Sequence, residues 1–208
     1  LSGIYDFKNH KNELNFLFNT KIENLDPNSK IYAAFAKSNL LHKEGKFKES
    51  AKFLKIANDE SLKYKKSDTN LKIKHTEFYR SLKIKNSKNK NLKNSSNYIF
   101  IVGMPRSGST LLENILSLNP EVTDMGEVNF LEESTKEAQD LEDVYDLYEK
   151  KVINQFQSSK IYTDKSLFNY TYCAVISNFF PKAKIINCIR NPLDNILSIY
   201  RANFLKQS

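Results

Sequence analysis

The residues "GMPRSGST", Gly103 to Thr110, bring two glycines, an arginine and three hydroxyls into eight positions. Glycine lets the backbone bend so that successive amides converge, and a helix starting after such a loop adds free N–H groups and a positive dipole end. This is chemistry for holding an anion, with Ser107, Ser109 and Thr110 as further donors. A P-loop nucleotidase keeps Lys where this chain has Ser109. The cations here are Arg106 within the loop and, further along, Lys165 and Arg190.

Those residues need a frame that delivers them to one place. "YIFIV" before the loop reads as a buried strand, and "SGSTLLENILSL" as a helix beginning near Ser107. "VTDMG" reads as a short strand or turn, "KIYTDK" as a strand and "LFNYTYCAVISNFF" as a helix stopped by Pro181. "AKIINCIR" follows as a strand, then "PLDNILSIYRANF" as a helix opened by proline. Strands alternating with helices predict an α/β, P-loop-like parallel sheet covered on both faces. Ligands of such sheets bind outside the carboxyl ends of the strands, where Gly103, Lys165 and Arg190 all fall.

A transferred phosphoryl group carries more negative charge than a sulfuryl group and usually needs a metal to offset it. The strand "IINCIR" ends in Arg190, where a nucleotidase often keeps a magnesium-binding Asp. A site neutralised by Arg106, Lys165 and Arg190 suits the sulfuryl group better. Asp164, at the end of "IYTD", keeps a kinase or nucleotidase open as an alternative.

Upstream, residues 29–66 carry a helix, turn, helix pattern: Tyr32, Phe35, Ala36, Leu40 and Leu41 on one face, a break at Gly45, then Phe47, Ala51, Leu54 and Ala57. Large and small apolar residues at these spacings suit a tetratricopeptide-like hairpin, and an ordinary helical hairpin equally. Further helices are expected near 8–24 and 68–82. The segment 83–97, "KIKNSKNKNLKNSSN", lacks apolar periodicity and reads as an exposed basic linker. The expected division is therefore a helical region over 1–82, a linker over 83–97 and an α/β domain over 98–208.

The 208 residues carry a net charge of +8, but Lys is abundant throughout, so no nucleic-acid partner is inferred. Residues 121–150 hold eleven acids and two bases, a net −9 that leaves +17 elsewhere. The acids from Glu132 to Glu149 read as an exposed helix face. No apolar run is long enough to span a bilayer. Cys173 and Cys188 form neither a disulfide framework nor a metal motif, and a cytoplasmic, reducing setting is expected. The chain begins with Leu and ends inside a helical pattern, so a fragment is expected at both ends, with the sheet incomplete at its C-terminus.

At "FIVGMPRSGSTLLENILSLNPEV", the "GE" of Gly126 and Glu127, the "TDK" of Asp164 and Lys165, and "FFPKAKIINCIRNPLDNILSIY", the chain resembles the PAPS-dependent sulfotransferases. It is most similar to bacterial proteins that join tetratricopeptide-like helices to a sulfotransferase domain, and its catalytic pattern looks closest to the tyrosylprotein branch. The likeness runs from about Tyr98 to the end. It implies that Arg106, Ser107, Gly108, Ser109 and Thr110 bind the 5′-phosphosulfate of 3′-phosphoadenosine 5′-phosphosulfate (PAPS), a co-substrate used without a metal. It implies that Arg190 and Ser198 hold the 3′-phosphate, that Glu127 is the general base, and that Lys165 and Arg106 stabilise the leaving phosphate and sulfuryl oxygens. Ser109 stands where Thr is more usual, and Ser166 and Leu167 depart from the common pattern on the acceptor side.

The histidines agree with a carboxylate base. His10, His42 and His75 all precede Gly103, so the His base of cytosolic sulfotransferases has no counterpart after the loop. The implied reaction moves a sulfuryl group to the hydroxyl of a peptide, sugar or small molecule, with the helical repeats offering a surface to a protein partner. A helical-repeat adaptor carrying an inactive α/β half is the non-enzymatic alternative.

Overall fold

The computed structural model describes residues 16–64, 69–81, 96–180 and 182–203. The expected linker therefore lies almost wholly outside the described residues, as do Pro181 and His10. The described residues fall into two compact units, those up to 64 together with 196–203, and those from 69 to 195.

The first unit is built on two helices, α1 (Pro27–Lys43) and α2 (Phe47–Tyr64). Asp26 caps α1 by accepting from the amides of Asn28 and Ser29, both at 3.1 Å, and Pro27 supplies a first-turn residue with no N–H to satisfy. Gly45, at φ +76°, makes the turn that folds α2 back. Ile31, Ala34, Phe35, Leu54 and Ala57 form the buried seam. The helices stand as expected, but the buried stripe of α1 is turned: Tyr32 is 40% exposed while Ile31 is fully buried, and at the start of α2 Phe47 is exposed. Lys37 explains the rotation. Its ammonium is drawn inside to donate to the carbonyls of Phe18 (3.2 Å) and Thr20 (2.6 Å), and it lies 5.2 Å from the ring centroid of Phe53. Of the segment expected to be helical near 8–24, residues 8–15 lie outside the described residues, and the described part holds a helical turn at 16–19 and a 3₁₀ turn at Ile22–Asn24.

The second unit carries the sheet. Strands β1 (Asn97–Gly103), β2 (Val122–Asp124), β3 (Ile161–Asp164) and β4 (Lys184–Cys188) are all parallel, in the order β2-β3-β1-β4. Helices α3 (Thr69–Ser81), α4 (Ser109–Leu116), α5 (Phe130–Glu137), α6 (Val144–Gln155) and α7 (Cys173–Phe179) accompany it, and α8 (Pro192–Tyr200) begins here. The fold is thus α/β, a parallel sheet with flanking helices and a helical region ahead of it.

The core is aromatic. Tyr98 of β1 meets Tyr148 of α6 edge to face at 5.1 Å and Tyr162 of β3 in a stack at 5.8 Å. Phe100 and Phe180 close the cluster at 5.5 Å. Two expectations are corrected. The segment 167–180 is a 3₁₀ helix over Leu167–Tyr172 before α7, because Asn169 is pulled inward to donate to Asp164 at 3.0 Å. The sheet is not covered evenly: β4 is an edge strand whose side chains are exposed or half-exposed, Cys188 among them.

Gly103 fixes the join between β1 and β4. Its register partner is Cys188, and a Cβ at Gly103 falls 2.5 Å from the Cys188 carbonyl oxygen, on a backbone at φ +145°. Gly103→Ala is expected to cost at least about 1–3 kcal/mol from backbone strain alone, read as a lower urea midpoint with an unchanged slope.

Candidate active site

The carboxyl ends of three strands converge in the second unit. β1 ends at Gly103 and enters the loop, β3 ends at Asp164 just before Lys165, and β4 ends two residues before Arg190. Within the loop, Arg106 (φ +67°) and Gly108 (φ +99°) both hold left-handed backbone. Such positions turn a loop inward on itself, so that successive amides can address one anion. Helix α4 starts at Ser109 rather than near Ser107, because left-handed Gly108 occupies the cap position. Its first-turn amides have no acceptor within the helix.

Side chains complete the loop. Ser109 is buried, and Thr110 and Arg106 are exposed. The Ser107 hydroxyl is buried with no hydrogen-bond partner among the described residues. A buried orphan donor inside an inward-turned glycine loop fits a phosphate or phosphosulfate oxygen, whose acceptance of that O–H removes the desolvation cost. Two contacts hold the loop from outside. The Arg190 guanidinium donates to the Arg106 carbonyl at 3.2 Å, and the side-chain amide of buried Asn195, on α8, donates to the Pro105 carbonyl at 2.8 Å. Arg190 is thereby fixed against the loop while still solvent-exposed.

Lys165 and Glu127 meet. The buried Lys165 ammonium donates to Glu127 Oε1 at 2.8 Å, while the Glu127 side chain remains 58% exposed. The turn bearing Glu127 is tied to β3 through the Lys165 amide donating to the Gly126 carbonyl at 2.9 Å and the Met125 amide donating to the Thr163 carbonyl at 3.0 Å. Gly126 sits at φ +66°, a conformation that suits glycine at this turn.

Behind the pair lies a second carboxylate that the sequence pattern does not flag. Glu113 of α4 is buried. Its Oε1 accepts from the Thr163 hydroxyl (3.0 Å) and the Gly126 amide (3.3 Å), and its Oε2 lies 3.8 Å from the Lys165 ammonium. Burial pushes its carboxyl above the usual range, opposed by the Thr163 bond and the Lys165 charge. The one signal in the sequence is a lone acid among the leucines and isoleucine of "LLENIL".

Asp164 does not offer itself to a metal. Fully buried, it accepts at Oδ1 from the Ser166 amide and the Asn169 side chain, both at 3.0 Å, and at Oδ2 from the Tyr148 hydroxyl at 2.9 Å. The magnesium role considered from its strand-end position is corrected accordingly: its oxygens serve the core. Burial pushes its carboxyl up to about 7, with the three donors holding it down. The native state thus binds a proton that the unfolded state, near 3.8, has released. Its stabilising contribution is full below about pH 4 and declines as pH rises towards 7, by roughly 4 kcal/mol. Asp164→Asn should flatten that decline, so that the stability of the variant relative to wild type, read from urea unfolding, rises by about that amount between pH 4 and pH 7; a difference that does not change with pH would contradict it.

Ser198 lies on α8 within the segment grouped with the first unit, and Arg190 belongs to the second. Among the described residues no group of three or more His, Cys, Asp or Glu is placed to hold a metal ion, and no helix is long and apolar enough to cross a membrane.

Comparison with known proteins adds the family. The family model described as the sulfotransferase domain matches residues 96–208. An uncharacterized protein of Aquifex aeolicus (strain VF5) is 30% identical over 129 residues, covering 51% of this chain. The chain spans only 17% of that relative's length. No solved structure matches. With the family's domain extending over more than half of its residues, from the strand before the glycine loop onward, the chain belongs to the sulfotransferase family.

Proposed function

We propose that the chain transfers the sulfuryl group of PAPS to an acceptor hydroxyl by in-line displacement. The observation that carries this is the buried, partnerless Ser107 hydroxyl in a loop where Ser109 replaces the nucleotidase lysine and the nearby cations are arginines and a lysine. The loop amides with Ser107, Ser109 and Thr110 take the 5′-phosphosulfate. Arg190 and Ser198, assigned from the resemblance, take the 3′-phosphate, the group that separates this donor from ATP.

Glu127 then accepts the acceptor's proton while the acceptor oxygen attacks sulfur, and the bond from sulfur to the bridging phosphate oxygen breaks. Lys165 and Arg106 stabilise the charge that gathers on the departing phosphate and the sulfuryl oxygens. Fixed cations meet the charge requirement, so no metal enters the proposal. In the resting geometry the base and the cation neutralise each other, and the phosphate of a bound donor replaces Glu127 as the counter-charge of Lys165, leaving the Glu127 carboxylate ready to accept a proton. The helical hairpin of the first unit is read as tetratricopeptide-like and suited to a protein partner.

The test is transfer of label from sulfur-labelled PAPS to a hydroxyl acceptor, with release of the 3′,5′-bisphosphate in equal amount. Phosphate transfer from labelled ATP under the same conditions, with no sulfate transfer, contradicts the proposal.

A further inference from the structure

The Lys165 ammonium stands between two carboxylates of opposite character. Glu127, at 2.8 Å, is 58% exposed, whereas Glu113, at 3.8 Å, is 4% exposed and pinned through its other oxygen by Thr163 and the Gly126 amide. An exposed side chain on a turn is free to release the lysine, but a buried one anchored twice is not. Glu113 also joins the three pieces that carry the proposed chemistry: it sits one turn into the helix that follows the glycine loop, it bonds the amide of the residue before Glu127, and it bonds the hydroxyl two residues before Lys165.

We propose that Glu113 is a positioning residue, the fixed anion that keeps the Lys165 ammonium in place when Glu127 lets it go and that holds the Gly126–Glu127 turn at the helix following the loop. This rests on reading Glu127 as the base and Lys165 as the cation that meets the leaving phosphate. Without Glu113, a lysine released by Glu127 has no counter-charge holding its stem at the end of β3, and the charge that should meet the phosphate is misplaced. A misplacement of about 1 Å costs on the order of 100-fold in rate.

Glu113→Gln is the informative variant. It keeps an oxygen to accept from Thr163 and Gly126 and replaces the charged oxygen facing Lys165 with an uncharged amide nitrogen, whereas Glu113→Ala strands two buried donors and risks unfolding. With the full chain and PAPS, followed as bisphosphate release, Glu113→Gln is expected to lower kcat about 100-fold, with bisphosphate binding and thermal midpoint unchanged. Placed on Lys165→Ala, the same change is expected to cost nothing further, because its effect passes through the lysine. A purely structural role predicts the same loss in both backgrounds, and that result overturns the inference. Wild-type kcat in Glu113→Gln overturns it as well, while leaving the donor reading intact. A wild-type chain that neither binds the bisphosphate nor turns PAPS over overturns the donor reading, and this inference with it.

Discussion

Glu127→Gln is expected to lower kcat for sulfuryl transfer by about 10²–10⁴-fold, the range typical of a positioned general base. The amide is nearly isosteric, so the turn held by Gly126 and Met125 stays in place and Gln still accepts from Lys165 through its oxygen. What it cannot do is take a proton from the acceptor hydroxyl as a carboxylate does. Binding of the 3′,5′-bisphosphate should be retained, which separates loss of chemistry from loss of the site. The measurement is bisphosphate release from PAPS in the presence of a hydroxyl acceptor, alongside a direct titration of the bisphosphate. Full activity in the variant would move the base elsewhere.

Lys165→Ala is expected to lower kcat by about 10²–10³-fold, or roughly 2.7–4 kcal/mol of transition-state stabilisation. Its ammonium is buried at the end of β3, so its interaction with a developing phosphate charge is less screened than that of a surface cation. The same variant leaves Glu113 buried without its cation, so a lower thermal midpoint accompanies the rate loss. Lys165→Arg distinguishes the two effects: it restores positive charge for the carboxylates, but its planar, forked head does not occupy the place of a compact ammonium. Recovery of stability without full recovery of kcat is the expected pattern, read from thermal unfolding and turnover of the same preparations.

The frame of this site was largely written in local sequence. Three short runs, ending at a glycine loop, an Asp-Lys pair and an Arg-Asn-Pro turn, are strands because each is a few residues long and bounded by residues that break strands. Pro27 and Gly45 likewise mark where the hairpin helix starts and where it turns. What local pattern could not supply was the partnership of polar groups brought together from distant segments. Asp164 read as an open strand-end carboxylate, yet Tyr148 and Asn169 fold onto it and turn it into a core acid. Glu113 read as one more helix residue, yet Thr163, Gly126 and Lys165 surround it. Tyr32 matched the helical period, but the inward pull on Lys37 sets the rotation of α1 and leaves the ring outside. In each case a tertiary hydrogen bond or ion pair decided the orientation, and those bonds have no signature in spacing.

The most direct test of the account compares how tightly the chain binds 3′-phosphoadenosine 5′-phosphate and ATP with magnesium, by titration calorimetry at one ionic strength. If the glycine loop and Arg190 form a site for PAPS, the bisphosphate binds more tightly by at least about tenfold, a difference of about 1.4 kcal/mol, and Arg190→Ala removes most of that preference. Equal or tighter binding of magnesium ATP, unaffected by Arg190→Ala, would contradict the account.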